Sequence, residues 1–282
     1  MKTILLRSGI RVPVLGQGTW MMGQNAQDRQ REIDALRLGL DLGMTLIDTA
    51  EMYAEGGAEE VLGAALAGRR EQATIVSKVY PHNAGIKAVQ AACERSLRRL
   101  GTDYIDLYLL HWRANVPLEE TLAGFSALKA AGKIRDFGVS NFGIDDMLEA
   151  TALPGGAQIA ANQVLYNLHA RGIEYDLLPW CRQHDVPVMA YSPLESSPAD
   201  QARLLSNPAL LAVAARHAAA PAQIALAWLL QQDGVIVIPK AVQRAHLQAN
   251  RAAADIVLIE QDLLELNRGF PPPHQAQPLA MR

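Results

Sequence analysis

Eight short apolar runs separated by amphipathic stretches, a spacing of roughly 30 residues between most of them, and no linker-like segment predict an α/β fold: a single (β/α)8 barrel. A chain of 282 residues that is 50% hydrophobic can bury such a core. One barrel domain over 1–282 therefore fits better than two small domains.

Ahead of the barrel, TILLRSGIRVPV (3–14) holds two short runs about a Ser8-Gly9 turn, which predicts a hairpin capping one barrel end. The strands are then expected at 14–19 (VLGQGT), 45–48 (TLID), 74–79 (TIVSKV), 105–111 (IDLYLLH), 134–140 (IRDFGVS), 159–163 (IAANQ), 186–192 (VPVMAYS) and 235–240 (VIVIPK). Between them, apolar positions recur at steps of three and four, as in Ile33, Leu36 and Leu40 or Val89, Ala92, Leu97 and Leu100, with helix stops at Gly43 and Gly101. The gap at 193–234 is long enough for an extra loop and helix. From Pro271 the chain is Pro-rich and polar, so 271–282 is expected to be an irregular surface tail.

Charge and cysteine content exclude several function classes. A net charge of -3 with no basic run argues against a nucleic-acid partner. Cys93 and Cys181 are too few for a disulfide framework and lack zinc-site spacing, so no metal site is expected and both read as buried thiols in a reducing cytoplasm. MKTILLRSGIRVPVLG has too short an apolar run for a signal peptide, and no apolar stretch is long enough to span a bilayer. The expectation is a cytoplasmic monomer acting on a small molecule, with no membrane partner.

Barrel enzymes place their chemistry at the carboxyl ends of the strands, so the polar residues that finish each apolar run are the informative ones. Asp48 ends the second strand, Lys78 the third and His111 the fourth, while Tyr53 follows in the loop after the second. Each alone has a structural explanation, as a helix cap, a solvated lysine, a core histidine or a surface tyrosine. Together they form a chemical unit. A phenol with a pKa near about 10 becomes a better proton donor beside a cation, which Lys78 supplies. Asp48 can keep that lysine charged in a partly dry pocket, and His111 can orient a carbonyl oxygen against the phenol.

With GQGTW, LIDTAEMY, VSKVYP, LLHW, GVSNF, NQVLYN, AYSPL and IPKA in that order, the chain resembles the aldo-keto reductase family over nearly its whole length. The resemblance implies hydride transfer from NADP(H), or NAD(H), to an aldehyde or ketone. Tyr53 would be the general acid, Lys78 and Asp48 would tune it, and His111 would position the substrate. It also implies that Ser140, Asn141 and Gln163 bind the nicotinamide carboxamide, that Tyr191 stacks on the ring, and that Ser192 and Leu194 meet the pyrophosphate. Gly18, Thr19 and Trp20 would complete the cofactor contacts, with Lys240, His246 and Asn250 near the adenosine 2′-phosphate.

The chain departs from the family pattern at Ala241, His246 and Ala249, where serine, arginine and glutamate are usual, which leaves NADH open as a donor. Arg113 and Glu195 are further departures, at the expected pocket mouth. A Rossmann fingerprint is missing, since GQGTWM carries Met21 where glycine is required. Trp20, Tyr80, His111 and Trp112 would line the substrate pocket. Bacterial members of the family act on dicarbonyls such as methylglyoxal and on keto-sugars, so a small α-oxoaldehyde is the expected substrate. Two other readings compete. A metal-dependent barrel hydrolase would need a His-x-His pair at a strand end, and none occurs. A nucleotide-binding regulatory subunit without turnover would not need four intact catalytic residues.

Overall fold

The structure is a computed structural model that describes residues 1–282. An antiparallel hairpin of β1 (Thr3–Leu5) and β2 (Arg11–Pro13) precedes eight parallel strands. These are β3 (Gln17–Gly18), β4 (Leu46–Asp48), β5 (Thr74–Val79), β6 (Ile105–Leu110), β7 (Ile134–Ser140), β8 (Asn162–Leu165), β9 (Val188–Tyr191) and β10 (Val235–Val237). They pair in chain order, and a parallel bridge between Leu15 and Val237 joins the last to the start of the first, closing the barrel. The helices are α1 (Arg29–Asp41), α2 (Gly57–Ala65), α3 (Ile86–Leu100), α4 (Leu118–Ala130), α5 (Ile144–Ala152) and α6 (Leu177–Gln183), followed by α7 (Pro198–Leu205), α8 (Pro208–Arg216), α9 (Pro221–Leu230), α10 (Arg244–Ala253) and α11 (Glu260–Gly269).

Two hydrophobic layers hold this arrangement. The outer layer, 65 buried residues, lies between strands and helices and includes the predicted helix faces Ile33, Leu36 and Leu40 and Val89, Ala92, Leu97 and Leu100. Gly101 ends α3 at φ 63°, a backbone region that favours glycine. The inner layer fills the barrel with Leu46, Val76, Leu107, Leu109, Met189 and Ile236, joined by Leu6 and Val12 from the hairpin. Arg7 Nε donates to Ile159 O at 2.8 Å and Ser8 N donates to the Asp136 carboxylate at 2.9 Å. The hairpin thus plugs the amino-terminal end of the barrel, and only the carboxyl-terminal rim stays open.

The first barrel strand is shorter than the expected 14–19, spanning Gln17–Gly18, the last ends at Val237 rather than at 240, and two further expectations shift. The sixth barrel strand begins at Asn162 rather than 159. Residues 159–161 approach β7 in extended form and already share hydrogen bonds with it, as Ala160 N to Phe137 O at 2.8 Å, which explains why their apolar run reads as the strand. The 193–234 segment holds two extra helices, α7 and α8, before α9. Pro198, Pro208 and Pro221 open all three at their first turns, and Ser197 and Asn207 cap the first two through their side chains. After Phe270 the chain carries neither helix nor strand and is largely exposed. No single helix is long and apolar enough to cross a membrane.

Candidate active site

Asp48 is the last residue of β4, Lys78 sits one residue before the end of β5, and His111 directly follows β6, so three adjacent strands aim their ends at one point of the rim. Tyr53 comes from a turn of 3-10 helix just after β4. Within that turn Ala54 (φ 51°) and Glu55 (φ 53°) adopt left-handed conformations, which costs about 1–2 kcal/mol per residue. Met21, Asn141, Ser192 and Glu195 do the same in the loops after β3, β7 and β9. Non-glycine strain therefore concentrates at the open rim, where packing must be aimed at something other than stability.

The Lys78 ammonium is fully buried and its hydrogens are all spent. It donates to both Asp48 oxygens at 2.8 Å, to Thr49 O at 2.8 Å and to Tyr53 OH at 3.2 Å. Because an ammonium only donates, the Tyr53 oxygen is the acceptor in that contact, and its own proton is left to point elsewhere. Burial pushes Asp48 upward and Lys78 downward from their ordinary values, and their mutual attraction opposes both shifts. Burial, and then the Asp48 charge, push the Tyr53 phenol well above its ordinary value. This corrects the expectation that Lys78 brings the phenol toward neutrality. Burial first, and the Asp48 charge second, keep Tyr53 protonated, so it serves as a donor.

His111 lies edge-on to Tyr53, with ring centroids 6.0 Å apart. Burial, reinforced by the Lys78 charge, lowers its pKa to about 3, so the ring is neutral at physiological pH. Its Nδ1 is buried without a partner, leaving Nε2 as the nitrogen that can serve a substrate. Since an unfolded histidine gains its proton near about pH 6.5, this site costs stability progressively as pH falls from there toward 3. The same shift predicts that, at saturating cofactor, His111 contributes no step to the turnover profile between about pH 5 and 8. Comparing wild type with His111→Gln checks this, and a step near 6.5 that vanishes in the variant would contradict it.

Aromatic rings extend the site outward. Trp112 packs on His111 with centroids 4.8 Å apart and meets Tyr80 edge-on at 6.0 Å. Trp20, on the loop after β3, is 45% exposed. Arg113 is drawn away from this wall into an ion pair with Glu149 at 2.6 Å and Asp146 at 3.2 Å.

The next three strands carry the polar groups expected to meet the cofactor. Asn141 donates to His111 O at 3.1 Å and accepts from Tyr191 OH at 2.9 Å, which pins the Tyr191 ring beside the barrel mouth. Ser140 Oγ donates to the Gln163 carbonyl at 2.9 Å, and Gln163 Nε2 donates to Asp48 Oδ1 at 2.7 Å. Ser192 O accepts from Asn167 Nδ2 at 2.9 Å. Leu194 packs on the edge of the core and its carbonyl accepts from Gln201. Lys240, ahead of α10, and His246, in its first turn, are exposed, that turn has no acidic residue, and Asn250 lies buried further along the helix.

Two expected cofactor residues also shape the barrel. Thr19 is fully buried, and its hydroxyl and N–H both donate to Asp48 O, at 2.9 and 3.0 Å. Gly18 is a glycine because a Cβ there would sit 2.9 Å from Ile238 O across the barrel seam. Three contributors escape the sequence reading. Thr49 acts through its carbonyl, which any residue type could supply. Glu59 is buried beneath the site, holding Ser77 Oγ at 2.7 Å and Arg99 at 3.1 Å. Asn167 closes NQVLYN and ties the loops after β8 and β9 together; the rule that the polar residue ending an apolar run is informative would have found it. A cavity of about 360 Å3 under the tail, bordered by Leu165, His169, Glu195 and Arg282 among others, touches none of Asp48, Tyr53, Lys78 or His111. The chemistry sits in the open mouth beside it.

Residues 14–268 match the model of the aldo/keto reductase family. The chain belongs to that family. It is 52% identical over 272 residues to methylglyoxal reductase YeaE of Escherichia coli (strain K12), covering 96% of each chain. Over 264 residues it is 31% identical to glyoxal reductase of Bacillus subtilis (strain 168), covering 93% of this chain and 90% of that one. Its fold superposes with a TM-score of 0.97 and 49% identity on the crystal structure of an aldo/keto reductase from Klebsiella pneumoniae in complex with NADP and acetate, over 100% of this chain and 99% of that one. The chain is thus an oxidoreductase of this family, and a nucleotide-binding subunit without turnover is not favoured.

Proposed function

We propose that this reductase uses NADPH to convert small α-oxoaldehydes such as methylglyoxal to hydroxycarbonyl products. The observation that carries the reading is the Lys78 N–H donated to the Tyr53 oxygen at 3.2 Å, which frees the phenolic proton for a carbonyl oxygen held in front of it. The nicotinamide, when bound, supplies the hydride to the carbonyl carbon. Tyr53 OH gives its proton to the oxygen as negative charge develops there, and the neutral His111 Nε2 donates a hydrogen bond that orients it. Trp20, Tyr80 and Trp112 would shield the reacting carbonyl from water.

The residues present suit such a cofactor. The Tyr191 hydroxyl is tied to Asn141, leaving a ring face for stacking, and the first turn of α10 pairs free N–H groups with Lys240, Arg244 and His246 for a phosphate. The substrate size follows from the open aromatic wall and from the dicarbonyl substrates in the names of the relatives. We further propose a monomer in the reducing cytoplasm, consistent with two free, buried cysteines. An NADPH-oxidation screen over methylglyoxal, glyoxal, aldoses and steroids tests the substrate class. Methylglyoxal should show the highest kcat/KM, and an aldose or steroid ahead of it would overturn the assignment.

His246 standing where the family carries arginine predicts a weakened preference for NADPH over NADH. A guanidinium can grip a phosphate through two donors in a fixed fork, whereas an imidazole offers fewer donors and no fork. His246→Arg should therefore tighten NADPH and leave NADH, which lacks the 2′-phosphate, little changed. Fluorescence titration of both cofactors in wild type and His246→Arg checks this, and no tightening of NADPH in the arginine variant would remove His246 from the phosphate site.

A further inference from the structure

Glu51 is a buried carboxylate that the proton-donating machinery does not use. It lies between Asp48 and Tyr53 in the chain and is 5% exposed. A charge held that far from water needs partners, and its side-chain partners all come from another part of the chain. Glu51 Oε1 accepts from Tyr80 N at 2.8 Å and from Asn83 Nδ2 at 3.0 Å, and Oε2 accepts from Arg95 Nη2 at 3.4 Å. Tyr80 and Asn83 belong to the loop after β5, which carries the Tyr80 end of the aromatic wall, so this side chain joins that loop to the segment that presents Tyr53.

Backbone register explains why a carboxylate stands there. β4 and β5 run parallel, and their ladder advances in even steps: Thr74 N donates to Thr45 O at 2.9 Å, Thr49 N to Val76 O at 2.8 Å and Glu51 N to Lys78 O at 3.3 Å. Continued in step, Tyr80 N would reach the carbonyl of residue 51. The chain is by then leaving the sheet for the turn that holds Ala54 and Glu55 in left-handed conformations, and the Glu51 side chain supplies the acceptor instead. A side-chain rung thus extends the ladder beyond the end of β4.

That rung closes a ring of contacts at the mouth. Between ring centroids, Tyr53 meets His111 at 6.0 Å, His111 meets Trp112 at 4.8 Å and Trp112 meets Tyr80 at 6.0 Å. From Tyr80 N the Glu51 carboxylate leads back along the chain to Tyr53. No hydrogen bond other than those to Glu51 joins residues 80–83 to residues 51–56.

We propose that Glu51 is a positioning residue that holds the aromatic wall at a fixed distance from the Tyr53 proton donor and so sets the size of carbonyl substrate that the mouth accepts. The inference rests on the α-oxoaldehyde reading and deepens it. With the rung intact, a small carbonyl compound is held against the Tyr53 hydroxyl. Without it, the loop at 80–83 loses its tether, small substrates lose alignment and bulkier ones gain room.

NADPH oxidation with methylglyoxal and with phenylglyoxal, which carries a phenyl ring in place of the methyl group, tests this through the ratio of the two kcat/KM values. Such a ratio does not depend on the fraction of a sample that is folded. Glu51→Met keeps the length and removes both oxygens, so the ratio should move toward phenylglyoxal by about tenfold, chiefly through lost methylglyoxal turnover, while NADPH affinity by fluorescence titration stays at the wild-type value. Glu51→Gln keeps an oxygen for Tyr80 N and Asn83 and gives up only Arg95, whose side chain is 39% exposed and can turn to water, so its ratio should stay within about threefold of wild type. An unmoved or opposite ratio in Glu51→Met, weakened NADPH binding, or a Glu51→Gln ratio as far displaced as that of Glu51→Met would each overturn the proposal. If Glu51→Met does not fold, Asn83→Asp decides, because it sets a second carboxylate against the first: the ratio should move in the same direction, and an unmoved ratio overturns the proposal. A wild-type protein that turns over neither aldehyde overturns the α-oxoaldehyde reading, and the inference with it.

Discussion

Tyr53→Phe should lose about 10²- to 10⁴-fold in kcat for methylglyoxal reduction while NADPH affinity stays near wild type. The substitution deletes one oxygen and keeps the ring, so the edge-on contact with His111 at 6.0 Å and the packing under it are preserved. What disappears is the only group that both carries a transferable proton and is braced by Lys78 at 3.2 Å. Burial and the Asp48 charge hold that phenol protonated, so wild-type reduction should not fail on the alkaline side from loss of this proton until well beyond neutrality. Stopped-flow or steady-state NADPH oxidation measures the loss. A fall of less than about tenfold would mean that water or His111 donates the proton instead.

Lys78→Met should cripple turnover and also destabilise the protein, by roughly 3–5 kcal/mol, because it strands the buried Asp48 carboxylate without its ion-pair partner. The two effects separate in the double variant. Asp48→Asn combined with Lys78→Met removes both charges and should recover most of the stability, since a neutral amide beside a thioether has no charge to desolvate. It should recover no activity, because the Tyr53 oxygen still lacks its donor. Urea unfolding together with kcat on wild type, Lys78→Met and the double variant tests this. A double variant as unstable as Lys78→Met would show that Lys78 matters through packing or through Thr49 O rather than through Asp48.

The parts of this site that sequence exposes are those in which residue type carries the message. Asp48, Lys78 and His111 stand out because a charged or titratable residue finishing an apolar run is costly to bury without a purpose, and the βα rhythm says where each run ends. Strand boundaries were legible to within a residue or two at β5 and β7, where turn residues flank a β-branched run. At β8 the boundary slipped because IAA is as apolar as a strand while the paired residues, Asn162 and Gln163, are polar. What stayed hidden was direction and backbone. Sequence marks Thr19 as polar and near the rim but cannot reveal that its hydroxyl turns inward to Asp48 O. It marks Gln163 but not the 2.7 Å contact with a carboxylate 115 residues away. The sign of the Tyr53 shift was hidden too, because it depends first on how deeply the phenol is buried and then on the Asp48 charge.

The central claim, that this site passes a hydride to a carbonyl carbon and a Tyr53 proton to its oxygen, is tested most directly by isotope tracing. Wild-type protein is given methylglyoxal and NADPH deuterated at the transferring position of the nicotinamide C4, in ordinary water, and the product is analysed by mass spectrometry and NMR. The account predicts deuterium on the new carbinol carbon of the product, with formation slowed by the Tyr53→Phe substitution. A product whose carbinol carbon carries hydrogen from solvent, or one formed at the same rate by Tyr53→Phe, would contradict it.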